Sequence, residues 1–131
     1  MDAPVLRPFV APACRWCPGN RGIDYATRAG VSVRAIGSGR VSFAGRVGRD
    51  LFVTVTHPDG LRSTYAFLGA VLVSRGATVF VGEPVGVTAG HLHLGIRRGD
   101  GYIDPELLLG PVRTRRARLV PSRVPASRRV R

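Results

Sequence analysis

Two histidines separated by one residue are the side chains of this chain best suited to chemistry. His91 and His93 alternate with Leu92 and Leu94, and this period of two is typical of a β-strand. Residues two apart in a strand point to the same face and lie about 6.6 Å apart along it, at roughly 3.3 Å per residue. The two imidazoles are therefore either a pair within reach of one small ion or one water, or two half-exposed strand histidines without a functional role.

A second polar pair lies far upstream, where Asn20 and Asp24 flank what is predicted to be a glycine-containing turn. Asp24 has aliphatic Ile23 beside it, which makes it a candidate buried carboxylate. A buried carboxylate needs a hydrogen-bond partner or a metal ion. The alternative is a turn aspartate that accepts backbone N–H bonds, and the residues alone leave both interpretations open.

The two cysteines form a C-x-x-C within the proline-rich segment 1–19, which excludes a long helix there. One such pair is half of a structural zinc site, and the sequence has no second pair to complete it. A redox C-x-x-C would open a helix, whereas Pro18 follows this one. Cys14 and Cys17 are thus either a local disulfide or two free thiols. Trp16, between them, is expected to pack across the edge of the sheet.

The elements that must position these residues are short strands. A chain of 131 residues with 44% hydrophobic residues is long enough for one core. Seventeen glycines, ten prolines and frequent valines favour many strands joined by turns. Alternating patterns predict strands over residues 31–36, 40–45, 50–57 and 61–68, with shorter ones before the histidine strand. The predicted fold is all-β, an antiparallel barrel-sandwich core with a short C-terminal helix that Asp104 caps.

The net charge of +12 comes mostly from the C-terminal end. All 20 basic residues are arginines, and eight of them lie in residues 113–131, where there is no acidic residue. A chain without lysine cannot carry a lysine-attached cofactor such as lipoate or biotin. No apolar run is long enough for a transmembrane helix, and no signal peptide is visible. The predicted organisation is an extended segment over residues 1–17, a β domain over 18–110 and an Arg-rich disordered tail over 111–131.

The order and spacing of these pieces resemble the lysostaphin-like (LytM-type) zinc endopeptidases, which cut peptide cross-links in bacterial cell walls. The resemblance covers about residues 18–109. It rests on Asn-Arg-Gly-Ile-Asp-Tyr-Ala (20–26), Val-Arg-Ala-x-Gly-x-Gly-x-Val (33–41), Val-Thr-His-Pro-Asp-Gly (55–60), Ser-Thr-Tyr (63–65), a Gly-Val ladder (76–87), His-Leu-His-Leu-Gly-Ile (91–96) and Asp104-Pro105. It implies that Asp24 and His93 are zinc ligands and that His91 is a catalytic histidine.

Two positions depart from the pattern of that family. Asn20 stands where the first zinc-ligating histidine belongs, and Phe67 stands where a second catalytic histidine belongs. An amide oxygen is a poor zinc donor beside an imidazole, so the loss in affinity should be on the order of a hundredfold or more. Phe67 can neither accept a proton nor stabilise an oxyanion, which typically costs about 10²–10³ in rate.

These departures favour a non-catalytic domain that binds peptidoglycan peptides or regulates wall hydrolysis, with a wall hydrolase as a candidate partner. The alternative is an active zinc metalloendopeptidase in which Asp24 and His93 hold zinc, His91 acts as the base, and Asn20 or Tyr65 completes the site. Tyr65 is also expected to bind the wall peptide. Zinc is the only cofactor that the resemblance implies. Because two of the family's histidines are replaced, the resemblance leaves open whether the chain is an enzyme.

The Arg-rich tail suggests attraction to an anionic polymer. Arginine that neutralises phosphates gives salt-dependent affinity for nucleic acid, but the tail has no aromatic residues to stack bases. Anionic wall polymers are therefore favoured over nucleic acid as its partner, and a solvated terminus is the alternative. The resemblance implies a location outside the cell or at the cell wall.

Overall fold

Alternating apolar and polar residues build nearly the whole described chain as β-structure. The computed structural model of the protein describes residues 3–14 and 16–109, so the Arg-rich tail predicted over residues 111–131 lies outside the described residues. The strands are β1 (Val5–Arg7), β2 (Gly22–Ala26), β3 (Ser32–Arg34), β4 (Gly39–Val47), β5 (Asp50–Thr56), β6 (Arg62–Val71), β7 (Thr78–Val79), β8 (Pro84–Arg98) and β9 (Gly101–Ile103), and the helix α1 is Glu106–Leu109. The all-β prediction with a short C-terminal helix is confirmed.

The nine strands form one antiparallel sheet around β8. Its main path runs β1-β2-β8-β6-β5-β4-β7, and β3 and β9 also pair with β8. The end strands β1 and β7 do not pair with each other among the described residues, so the sheet is not closed. β8 is a single strand of 15 residues that contains both histidines. It therefore fixes the position of the other strands relative to the histidine pair.

The register between β2 and β8 separates an apolar face from a polar one. Ile23 pairs with Leu94 and Tyr25 with Leu92. All four side chains are at most 1% exposed and belong to the core. Burying each contributes about 1.5–3 kcal/mol through the hydrophobic effect. Because side chains alternate along a strand, Asp24 and the histidines must lie on the opposite face.

The turn expected between Asn20 and Asp24 is instead the start of β2. Ile23 and Tyr25 have to reach the core from alternate positions, and only an extended backbone allows this. Gly22 begins the strand and packs tightly against β8. A Cβ at this position would lie 2.3 Å from the Leu94 carbonyl oxygen and 2.6 Å from His93 Nε2. Gly22 thus allows the backbone to pass directly beside His93.

The N-terminal segment adds to the domain rather than running separately from it. Its strand β1 pairs with β2, and Val10 and Asn20 exchange backbone hydrogen bonds of 2.8 and 2.9 Å. Cys14 and Cys17 form a disulfide, one of the two alternatives left open by the sequence. The expectation that Trp16 packs across the sheet edge is wrong, because its side chain is 85% exposed. The disulfide loop turns the indole outward.

Candidate functional site

Asp24 and His93 face each other as a cross-strand pair of β2 and β8. Asp24 Oδ1 lies 2.8 Å from His93 Nδ1, and the aspartate is only 3% exposed. An ionised carboxylate only accepts hydrogen bonds, so Nδ1 carries the proton and donates the hydrogen bond to Oδ1. The structure therefore brings together the two residues that the family resemblance assigns as zinc ligands, and their role in metal binding stays a prediction.

The second carboxylate oxygen of Asp24 accepts hydrogen bonds from an arginine that the sequence analysis did not predict. Arg7 Nε and a terminal guanidinium nitrogen of Arg7 each lie 3.1 Å from Asp24 Oδ2. The Asn20 side-chain amide donates to the same oxygen at 3.2 Å and to the Pro8 carbonyl at 2.8 Å. Charge-assisted bonds of this kind compensate the burial of the aspartate. No sequence pattern marks Arg7, because only the β1–β2 register places it beside Asp24.

Phe67 covers the histidine pair. Its ring centroid lies 5.0 Å from that of His91 and 6.1 Å from that of His93, and its other ring neighbour is Phe52 at 6.0 Å. The backbone at Phe67 has a φ of 67°, where β6 bulges out of register with β8. A bulky residue in this left-handed region costs about 1–3 kcal/mol, so the surrounding sheet holds the ring in place. His91 itself is exposed.

Tyr65 does not belong to this site, and the prediction that it binds the peptide or completes a metal site is wrong. Its ring is 1% exposed in the core, because position 65 pairs with core-facing Leu94. Its hydroxyl accepts from the Ile36 amide at 3.0 Å and hydrogen-bonds with Ser63 Oγ at 2.9 Å. Burial raises the pKa of the Tyr65 hydroxyl from 10.0 to about 12. The same network continues to His57, whose Nε2 lies 2.9 Å from Ser63 Oγ.

A strip of small residues, called the trough below, crosses the sheet next to His93. Gly22 pairs with Gly95, and Gly95 pairs with Thr64, so three small residues lie side by side on the face that carries the histidines. Thr64 Oγ1 in turn lies 3.0 Å from Thr54 Oγ1 on β5. The trough therefore presents backbone and hydroxyl groups, with Asp24, His93 and Arg7 along one side. Such a surface can bind an extended peptide through hydrogen bonds.

The sequence and the fold together assign the chain to a peptidase family. Residues 18–105 match Peptidase family M23, and the chain belongs to that family. Among solved structures, the solution structure of lysostaphin superposes with a TM-score of 0.70 at 24% identity, over 81% of this chain and 50% of lysostaphin.

Two relatives extend the comparison. The "Uncharacterized protein Rv2891" of Mycobacterium tuberculosis is 36% identical over 136 residues, which cover 89% of this chain and 51% of that protein. The "Murein hydrolase activator EnvC" of Escherichia coli is 35% identical over 104 residues, which cover 73% of this chain and 24% of that protein. The chain thus spans about half of the mycobacterial relative and a quarter of EnvC. No helix among the described residues is long and apolar enough to cross a membrane.

Proposed function

We propose that this chain is a non-catalytic member of its family that binds peptidoglycan peptides in the trough beside His93 and regulates wall hydrolysis. The observation that carries the proposal is the ion pair of Arg7 with Asp24. It places a protein cation on the carboxylate that the family resemblance assigns to zinc. The site is then a preformed hydrogen-bonding surface rather than a metal centre.

The donor set fits a catalytic zinc ion poorly. Catalytic zinc takes three protein ligands and an open position. Among residues 3–14 and 16–109, no group of three or more His, Cys, Asp or Glu side chains is arranged to hold a metal ion. Asn20 directs its amide nitrogen, not its oxygen, at Asp24, and the Nδ1 atom of His93 carries a proton toward the same carboxylate. Zinc would have to displace both this proton and Arg7.

The chemistry left to the site is recognition. A peptide lying in the trough would meet the hydroxyls of Thr54 and Thr64, the exposed imidazole of His91 and the guanidinium of Arg7. Arg7 is 71% exposed although it is bonded to Asp24, so a peptide carboxylate could approach it from solvent. Similarity to a protein named as a murein hydrolase activator supports regulation of a wall hydrolase at the cell wall as the role of such binding.

The alternative function is a zinc metalloendopeptidase, and one observation favours it. Asp24 and His93, two residues that match ligands of the family, lie within hydrogen-bonding distance of each other. In that case zinc would polarise the scissile carbonyl of a wall peptide, and Asp24, His93 and Asn20 are the residues that would hold it. His91 is exposed and would have to transfer the protons of the reaction alone, since Phe67 occupies the position of the second catalytic histidine.

The experiment that tests the proposal measures zinc content, sacculus binding and digestion on one preparation of the full chain. We expect sedimentation with purified sacculi, binding unaffected by a chelator, and no zinc held at micromolar affinity. Thr64→Arg should abolish sacculus binding by covering the trough, whereas Thr78→Arg, at an exposed position of the edge strand β7, should not. One zinc ion per chain that is lost in His93→Ala, together with metal-dependent release of wall peptides, would overturn the proposal in favour of the peptidase.

A further inference from the structure

A cleft separate from the trough lies between the disulfide loop and the turn that joins β8 to β9. Its volume is about 530 Å³, which is within the range of small-ligand pockets. The lining includes Trp16, Tyr102, Arg97 and Asp100. The family resemblance gives no role to these four residues, and all of them are charged or aromatic groups that can recognise ligands.

The two aromatic rings of the cleft are open to solvent. Trp16 is 85% exposed and Tyr102 is 39% exposed, so a ligand can reach both rings from solvent. The guanidinium carbons of Arg97 and Arg21 each lie 5.7 Å from the centroid of the Tyr102 ring. Two cations at this distance hold the phenol ring in place through cation–π contacts. The cleft therefore presents flat apolar surfaces at fixed positions.

The loop that carries Trp16 is constrained at both ends. The Cys14–Cys17 disulfide closes it, and a terminal nitrogen of Arg21 donates to the Cys17 carbonyl at 3.2 Å. The paired backbones of Val10 and Asn20 hold its base. A loop that is ordered before binding loses little conformational entropy when a ligand arrives. Such restraint around one outward-facing indole suits a binding platform.

We infer that this cleft binds a pyranose ring of the wall glycan, an inference that rests on the proposed function. The apolar C–H face of a sugar ring fits against the indole of Trp16, as flat apolar groups do on aromatic faces. Arg97 supplies N–H donors and Asp100 a carboxylate acceptor for the hydroxyl and amide groups around the ring. Nucleic acid would also use Trp16 and Arg97, but the carboxylate of Asp100 opposes a phosphate. A neutral, polyhydroxylated ligand matches this mixture of donor and acceptor.

The position of the cleft relates it to the trough. Arg97 and His93 lie on the same face of β8, four residues and thus roughly 13 Å apart along the strand. A glycan strand seated at Trp16 would direct its attached peptide toward Thr64 and His93. The two surfaces together would distinguish intact peptidoglycan from either of its components.

Trp16 is the only tryptophan of the chain, so its fluorescence reports directly on the cleft. The full chain would be titrated with peptide-free glycan strands. We expect a blue shift of the emission and a several-fold decrease in quenching by acrylamide, because the sugar covers the exposed indole. In calorimetry, Trp16→Ala and Tyr102→Ala should each weaken glycan binding at least tenfold. Phe80→Ala removes an aromatic residue that is 68% exposed but outside the cleft, and it should leave the affinity unchanged.

Parallel titrations with free stem peptide, with intact sacculi and with duplex DNA separate this inference from the proposed function. Sacculus and peptide binding with no response of Trp16 to glycan would overturn the glycan site and leave the proposed function standing. Glycan binding without peptide binding would support the cleft and contradict the proposed function. A saturable response of Trp16 to DNA but not to glycan would overturn the inference in favour of a nucleic-acid site.

Discussion

Arg7 and Asp24 form an ion pair that joins the N-terminal strand β1 to the site. Both guanidinium contacts are 3.1 Å long, and they end on the carboxylate oxygen that His93 does not use. The aspartate is therefore neutralised by the protein's own cation. This relationship determines what the site can bind, because any added cation must compete with a guanidinium that is covalently part of the chain.

Removing the guanidinium should destabilise the protein modestly. Arg7→Ala takes a charged partner from a carboxylate whose side chain is 4% exposed, while Asn20 and His93 remain bonded to it. Losing one partner of a buried charge costs about 1–3 kcal/mol, and the remaining bonds and the exposure of Arg7 place this case near the lower end. Urea unfolding of the variant and the parent measures the difference.

The matched variants are Arg7→Lys and Arg75→Ala. Lysine keeps the charge but cannot form the two-nitrogen contact, so its loss of stability should be smaller than that of alanine. Arg75 is exposed in the loop before β7 and should be replaceable without effect. Equal stability of Arg7→Ala and the parent would mean that the ion pair contributes nothing to folding.

Restoring the family's histidines should create a metal site. Asn20→His with Phe67→His supplies a third ligand beside Asp24 and His93 and an acid–base group near His91. We expect the double variant to bind zinc at least a hundredfold more tightly than the parent, as measured by competition with a chelating dye. Adding Arg7→Ala should tighten binding further, because zinc then no longer displaces a guanidinium from Asp24. A parent protein that already binds zinc as tightly as the double variant would contradict this expectation.

The sequence predicted those parts of the site that depend on local alternation. His91 and His93 lie on one face because each is the immediate neighbour of core-facing Leu92 or Leu94, and a pattern of period two shows this directly. Asp24 lies on the same face only because β2 is a strand that pairs with β8 in one register. The fold class follows from the same alternation repeated along the chain.

The features that the sequence did not reveal depend on register and on bulges. Arg7 reaches Asp24 only because β1 pairs with β2 in one particular register. Tyr65 faces the core although Phe67, two residues later, lies over the histidines, because the bulge between Ala66 and Leu68 breaks the alternation. Strand periodicity cannot show where a bulge falls. The prediction that Trp16 packs on the sheet failed because Trp16 lies in the disulfide loop, which is not a strand and turns the indole outward.

Gly22 should tolerate substitution far less than its partner in the register. In Gly22→Ala the new Cβ would meet the Leu94 carbonyl at 2.3 Å and His93 Nε2 at 2.6 Å, so β2 must move away from β8. In Gly95→Ala the nearest atoms are at 3.5 and 4.0 Å, which are ordinary contacts. We expect a loss of about 1–3 kcal/mol for Gly22→Ala and little for Gly95→Ala, measured by thermal unfolding. Similar stabilities of the two variants would show that β2 can shift without cost.

The buried hydroxyl of Tyr65 should make the protein lose stability in alkaline solution. Burial raises its pKa from 10.0 to about 12 in the folded chain. Below pH 10 the hydroxyl is protonated in both the folded and the unfolded chain, so ionisation of Tyr65 does not lower the stability. As the pH rises from about 10 to about 12, the unfolded chain ionises while the folded chain does not, so stability falls by about 1.4 kcal/mol per pH unit.

Tyr65→Phe tests this, since phenylalanine cannot ionise. The variant should be less stable at neutral pH by about 1–2 kcal/mol, because the Ile36 amide and Ser63 lose a partner. Between pH 10 and 12, however, the stability of the variant should fall less steeply than that of the parent. The two slopes should differ by about 1.4 kcal/mol per pH unit, the effect of one proton. If Tyr65→Phe and the parent declined in parallel, the hydroxyl would be reaching solvent before it ionises, and the network of Tyr65, Ser63 and His57 would open without unfolding the sheet.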